Sequence, residues 1–470
     1  MKDWTTERYL GLLEQAAGYA RRYIEQVEDQ PVFPAATARR RLAELDGPLP
    51  DSPSSPEAML ALLHEVGSPA TVAQTAGRYF GFVNGGALPP AVAARWLADV
   101  WDQNAALDVM SPIAARLELL CERWLVQLFG LPPKTAAGFV TGTSASLLCG
   151  IVTARDSLLR RQGWDVHGQG LYGAPEIRVV AGSQAHAAAR RALSLAGLGS
   201  ERVEWVEVDD QGRLLLEDLP TLDDRTLVLA QAGNVNSGAF DPVGEVCRQA
   251  AAAGAWVHVD GAFGLWAGAC RETAHLYAGI ERADSWSVDA HKTLNVPYDC
   301  GIILCRHRGE LAASLRADAA YLASEGERQA MHHTPDMSRR ARAVELWACL
   351  LTLGRRGIDD LVSQLCGRAR QLAAELEDAG FEICNRVVFN QVLVRGEDDA
   401  QTSATLRHLQ DSGECWCGGT TWRGDPAIRV SVCSWATTEG DIRRTAAAFV
   451  AARRAAEEDP SARNAPGGET

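Results

Sequence analysis

The chain is short of positive charge, of long apolar runs and of paired cysteines, and each shortage closes off a class of function. Among its 470 residues, 46 Lys and Arg stand against 60 Asp and Glu, a formal net charge of −14. That sign opposes a nucleic-acid backbone or an anionic membrane, so neither is expected as a partner. No stretch offers the roughly 20 apolar residues of a membrane-spanning helix. The opening MKDWTTERYL puts an acid at the third position and lacks the apolar core of a secretory leader, so a cytoplasmic protein is expected. Twelve cysteines are scattered without a CxxC pair or a zinc-like array. They read as reduced core thiols. No solenoid-type repeat is found.

What is present is globular. Hydrophobic residues make up 47% and charged residues 23%, near the average of folded domains, and the length suits two or three of them. Residues 1–90 read as a helical segment with a Pro/Ser-rich break at 48–53. From 91 to 325, helical periodicity alternates with short apolar runs at 177–181, 203–208, 227–231, 255–259 and 301–305. That alternation predicts a mostly parallel sheet covered by helices on both faces. Leu117, Leu120, Cys121, Trp124, Leu125 and Leu128 form one helical stripe, stopped by Gly130 and Pro132. Residues 326–458 combine a helix ending before Gly380, strands at 391–395 and 427–433 and a last helix at 441–457, which predicts a smaller α+β domain. The tail 459–470 has little to bury and is expected to be disordered.

Five stretches carry chemistry. Trp256-Val-His258-Val-Asp260-Gly261-Ala262 reads as a buried strand ending in a small-residue turn, so Asp260 stands at the carboxyl end of its strand. Open α/β sheets bind ligands at that edge. A carboxylate there needs a cationic partner to offset its desolvation. His258 shares its face, but without a further ligand cluster no metal is expected. In Ser285-Trp-Ser-Val-Asp-Ala-His291-Lys292, the lysine sits in mostly apolar surroundings, where an amine can attack an aldehyde to form an imine. Phe139-Val-Thr141-Gly142-Thr143-Ser144-Ala145-Ser146 leads into a helix beginning near Ala145. Its amides and hydroxyls suit a phosphate, although an ordinary Ser/Thr cap has the same composition. Gly182-Ser-Gln-Ala-His186 offers an imidazole before a helix at 187–195, to stack on a planar ring or to close a turn. Finally, Gly233-Asn234-Val-Asn236-Ser237-Gly238 supplies side-chain amides after the strand at 227–231.

Taken in order, these pieces resemble the fold-type I pyridoxal phosphate enzymes, and specifically the group II amino acid decarboxylases. The likeness covers nearly the whole chain. It includes Tyr79-Phe80-Gly81-Phe82-Val83, Asp102-Gln103-Asn104, Ser111-Pro112, Pro297 with Cys300-Gly301, Ser338-Arg339-Arg340-Ala341-Arg342 and Arg429-Val-Ser431. The resemblance implies an α/β fold with a mostly parallel seven-stranded sheet in the large domain, a small C-terminal α+β domain, and pyridoxal 5'-phosphate as cofactor. It implies that Lys292 joins the cofactor aldehyde, that His186 stacks on the pyridine ring with Ala262 against the other face, and that Asp260 pairs with the ring nitrogen. By the same likeness Thr143, Ser144 and His291 hold the phosphate, and Asn234 approaches the phenolate oxygen. Arg429 falls where several relatives bind a substrate carboxylate. Phe82 would help line the site of the other subunit in a homodimer. The reaction implied is decarboxylation of an L-amino acid or an amino-acid conjugate. Decarboxylation coupled to oxidative deamination, and β-elimination from a cysteine-type conjugate, are the alternatives, because one cofactor serves all three.

The chain also departs from the family pattern. Its phosphate loop lacks the usual second glycine, and Thr293 follows the lysine where a tryptophan is usual. Between Leu322 and Ser338 there is no tyrosine, the residue that in relatives returns a proton to the substrate carbon. His332 and His333 are nearest, and His333 is the candidate for that acid because an imidazole titrates near neutral pH.

Overall fold

Buried apolar strands separated by helices build the larger of two sheets. In the computed structural model, which describes residues 4–316 and 329–458, its strands are β1 (Ala136–Val140), β2 (Arg178–Gly182), β3 (Val203–Val206), β4 (Thr226–Gln231), β5 (Trp256–Asp260), β6 (Ser285–Asp289) and β7 (Gly301–Cys305). Their spatial order is β1-β7-β6-β5-β4-β2-β3. Strands β3, β2, β4, β5 and β6 run parallel, and β7 lies antiparallel between β6 and β1. Every residue of β1, β4, β6 and β7 is buried. Covered on both faces, such strands read as continuous apolar runs instead of alternating ones. Phe139, Val228, Val257 and Ile302 point into a core shared with the helices Pro112–Leu128 and Val243–Ala253. Val140, Leu227, Leu229 and Ile303 point into a second core under the helices Thr143–Arg161 and Ala187–Leu195.

One strand of this sheet escapes the sequence pattern for a specific cause. Strand β6 is Ser285-Trp-Ser-Val-Asp289, with two serines in a wholly buried position. They serve His258 on neighbouring β5: Ser285 Oγ lies 2.8 Å from Nδ1 and Ser287 Oγ lies 3.0 Å from Nε2. The imidazole fills the space over Gly150, which leaves no room for a Cβ there. Burial pushes His258 down to about 3. With both nitrogens engaged, it is a core histidine and has none left to offer a metal.

The smaller sheet is antiparallel, with β8 (Glu382–Ile383), β9 (Gln391–Arg395), β10 (Gly418–Trp422) and β11 (Asp425–Ser431) in the order β10-β11-β9-β8. Val392, Val394, Ile428 and Val430 pack against Leu372, Leu376, Leu409 and Phe449. The leucines Leu372 and Leu376 belong to the long helix Ala343–Asp378, which bends at Gly354, where φ is 56° and ψ is −174°. Before that bend, Val344, Leu346, Cys349 and Leu350 belong to the core of the larger sheet. At the amino-terminal end, the helices Thr6–Gln26, Ala36–Arg41 and Pro56–Leu62 contain no fully buried residue. The boundary expected near residue 325 and the tail 459–470 lie outside the described residues. Among the described residues, no helix is long and apolar enough to cross a membrane.

Candidate active site

The carboxyl ends of β4, β5 and β6 and the helix start after β1 converge on a cavity of about 430 Å³. Lys292, His186, Asp260, Thr143, Ser144, Ala262, His291, Phe82 and Arg429 all line it. Asp260 ends β5 and accepts the backbone N–H of Ala262 on Oδ1 at 3.1 Å. Burial pushes its carboxyl up, and the charges of His186 and Lys292 oppose that. His186 caps the helix Ala187–Leu195, its Nδ1 accepting the N–H of Ala188 at 3.2 Å.

A second carboxylate, which the sequence reading did not single out, ends the next strand. Asp289 is 2% exposed. Its Oδ2 lies 3.3 Å from Lys292 Nζ and 3.5 Å from His291 Nε2. The N–H of Cys300 donates to His291 Nδ1 at 3.1 Å, so the ring hydrogen resides on Nε2 and faces Asp289. Burial holds His291 below the usual histidine range, against the pull of Asp289. The Oδ1 of Asp289 is buried with no hydrogen-bond partner among the described residues.

At the opposite wall, the helix Thr143–Arg161 begins at Gly142 without a side-chain cap, leaving first-turn amides to other partners. A Cβ on Gly142 would stand 3.2 Å from the His291 ring, so a side chain there would crowd the imidazole. The hydroxyl of Thr143 is buried and has no partner among the described residues. From the smaller sheet, Arg429 on β11 reaches the cavity. Its Nε is buried without a partner, it forms no ion pair among the described residues, and burial alone lowers its pKa. At the rim, Phe82 and Val83 have φ of 53° and 59°, in the left-handed region that a β-branched residue rarely enters. The Phe82 ring lies 5.2 Å from that of Trp416.

Two expected residues are not brought to the cavity. Asn234 is buried, and its Oδ1 accepts the N–H groups of Asn236 at 2.9 Å and Ser237 at 3.3 Å, which makes it the organiser of its own turn. From that strand end it is Gln231, together with Gly233 and Val235, that lines the cavity. His333 is buried in the short turn Ala330–His333, its Nδ1 3.3 Å from the carbonyl of Gln329 and its backbone against Gly138 of β1. Thr293, in the place of the usual tryptophan, is buried and donates its hydroxyl to the carbonyl of Phe263 at 2.9 Å.

A family model described as the pyridoxal-dependent decarboxylase conserved domain matches residues 41–395 of this chain. The chain belongs to the pyridoxal-dependent decarboxylase family. It is 30% identical to "Tryptophan decarboxylase 1" of Oryza sativa subsp. japonica over 92% of this chain and 91% of that one. To "Aromatic-L-amino-acid decarboxylase" of Sus scrofa it is 24% identical, over 92% and 93% respectively. A crystal structure of Oryza sativa TDC with PLP and tryptamine superposes with a TM-score of 0.87 at 23% identity, covering 97% of this chain and 99% of that one. Mouse CSAD gives the same TM-score at 22% identity, over 96% and 99%. These structural likenesses establish the fold. As a family member the chain is a pyridoxal phosphate-dependent amino acid decarboxylase, and the aldehyde-forming and β-eliminating alternatives are not favoured. The cavity fits that cofactor. An uncapped helix start with an unpartnered Thr143 hydroxyl suits a phosphate, and a buried carboxylate across from a lysine suits a cationic ring nitrogen and an aldehyde.

Proposed function

We propose that this decarboxylase acts on an L-amino acid with an apolar, aromatic-sized side chain, and that Arg429 anchors its α-carboxylate. The observation that carries the reading is the partly buried guanidinium of Arg429, its Nε buried and without a partner among the described residues, on the same cavity as Lys292. A partly buried cation without an ion-pair partner is suited to an anion. The rim supplies Phe82, Val83 and Val235 for the side chain, and Arg429 is the one arginine on the lining. When bound, pyridoxal phosphate supplies an aldehyde for the substrate amine and a ring that accepts the electron pair left as carbon dioxide departs.

In this reading Thr143, Ser144 and His291 would hold the phosphate, Asp260 would keep the ring nitrogen protonated, and His186 and Ala262 would flank the ring. Lys292 would hold the cofactor at its aldehyde carbon. Since His333 does not line the cavity of its own chain, we assign the return of a proton to the substrate carbon to the freed Lys292 amine. Its neighbour Asp289 keeps that amine supplied with a counter-charge. Arg429 orients the substrate by its carboxylate, and orientation selects which bond breaks.

We further read the protein as a cytoplasmic homodimer, with residues 1–90, 91–325 and 326–458 as its helical segment, cofactor-binding domain and small domain. Twelve cysteines, eleven of them buried and none in a disulfide among the described residues, support a reducing compartment. The helix Pro89–Trp101 exposes Trp96, Leu97, Val100 and Trp101, and Val109, Met110 and Ile113 shortly after it are exposed too, apolar surface of the kind that a second protomer covers. The test is a panel of tryptophan, tyrosine, phenylalanine, glutamate and 2,4-diaminobutyrate, scored for carbon dioxide and amine. Turnover confined to the aromatic members is expected, and a preference for glutamate or diaminobutyrate overturns the substrate reading.

A further inference from the structure

Behind the lysine, one buried amide joins three segments of the cavity wall. Asn295 has 0% exposure and a φ of 59°, a conformation that asparagine tolerates better than most residues with a Cβ. Its Nδ2 donates toward the carbonyls of Lys292 at 3.2 Å, Thr293 at 2.9 Å and Cys433 at 2.9 Å. Its Oδ1 accepts the backbone N–H groups of Gly86 at 2.7 Å and Trp435 at 2.9 Å. The main chain adds to this, with Asn295 N–H donating to the Lys292 carbonyl at 3.0 Å and Leu88 N–H donating to the Asn295 carbonyl at 2.9 Å. Each segment brings a different part of the site. The first carries Lys292 itself, and the second carries Phe82. The third is the run leaving β11 just after Arg429.

We propose that Asn295 is a positioning residue that sets the spacing between Lys292 and Arg429, with the Phe82 segment locked to the same junction. The proposal rests on the reading of Arg429 as the carboxylate anchor. Lys292 is carried by the larger sheet and Arg429 by the smaller one, so something must hold the two supports in register. A buried amide with all its donors and acceptors engaged is suited to this, because each lost bond leaves an unsatisfied group in a low-dielectric interior. An amino acid must be gripped at both its amine and its carboxylate, and is sensitive to that spacing. A ligand with only one of the two groups is not.

The test uses the holoenzyme and three probes: the amino acid of highest turnover in the panel above, the amine it yields, and the acid lacking its amino group. For tryptophan these are tryptamine and indole-3-propanoate. Asn295→Gly keeps the left-handed backbone accessible and deletes the amide. The expected result is a fall in kcat/KM of about a hundredfold, while inhibition by the amine and by the acid each stays within about twofold. Arg429→Gln, run alongside, should weaken the acid and spare the amine. If Asn295→Gly weakens all three probes alike, or leaves kcat/KM unchanged, while Arg429→Gln behaves as expected, the spacing proposal alone is overturned. Unchanged acid inhibition in Arg429→Gln defeats the anchor reading and the spacing proposal with it. Should Asn295→Gly not fold, Gly86→Ala disturbs the same junction, since its Cβ would stand 2.8 Å from Ser434 Oγ and 3.0 Å from Asn295 Oδ1. It is held to the same three measurements.

Discussion

Two aspartates end neighbouring parallel strands and face one cavity, yet their surroundings differ. Asp260 on β5 has a backbone N–H on one oxygen and feels His186 and Lys292 only at longer range. Asp289 on β6 stands within 4 Å of both Lys292 and His291. The first carboxylate therefore has the stronger need for a cation that comes with the ligand, and the second already has one from the chain. Identical side chains at equivalent strand ends thus have different company: one is left for the proposed cofactor contact, and the other already faces the lysine.

The largest effect should come from removing the charge that waits. Asp260→Asn leaves a cationic ring nitrogen without its partner, a loss of about 3–5 kcal/mol, so kcat/KM should fall by hundreds- to thousands-fold with cofactor retention weakened as well. Turnover near the parental rate would refute the assigned role. Next comes the seam between the two strands. His258 is held near 3 when folded, against an ordinary value of 6.5. Below pH 6.5 the unfolded chain binds a proton that the folded chain refuses, so stability should drop by about 1.4 kcal/mol per pH unit down to about pH 3. Urea unfolding at several pH values measures this, and His258→Gln should flatten the slope across that window. Asp289→Asn should be milder. The amide keeps contacts to Nζ and Nε2 and removes only the charge, for a fall in kcat of about tenfold, or 1.4 kcal/mol. A loss equal to that of Asp260→Asn would erase the distinction drawn between the two. The smallest effect is expected outside the cavity, where Asn234→Ala should lower stability by about 1 kcal/mol through its turn bonds and leave the KM for substrate unchanged.

The same pair marks how far the sequence could be read. Asp260 is legible because Trp-Val-His-Val-Asp-Gly is an unbroken apolar strand running into a small-residue turn. Asp289 obeys the same rule, but its strand contains Ser285 and Ser287, and serines in a buried strand make sense only once His258 is seen beside them. The strand expected at 301–305 coincides with β7, and those at 177–181 and 255–259 are displaced by one residue from β2 and β5. Strand β10 was not legible, because Gly-Gly-Thr-Thr-Trp at a sheet edge has no apolar run to detect. Among the candidate site residues, those at strand ends and helix starts reach the cavity, where local geometry fixes direction. Asn234 does not, since an asparagine in a turn satisfies its own backbone first. His333 depends on how a loop lies against β1, which no local pattern encodes.

The bent helix Ala343–Asp378 has a bearing on how the protein comes apart. One continuous stretch of chain, kinked at Gly354, contributes Leu346 and Cys349 to the larger core and Leu372 and Leu376 to the smaller. Fraying the small sheet strips the far half of that stretch, and an isolated helical stub is marginal in water. The near half then loses its continuation while still carrying part of the larger core. Heat or denaturant should therefore meet a single cooperative unit, and amide exchange in β9 and β11 should be governed by the same global opening that governs β5.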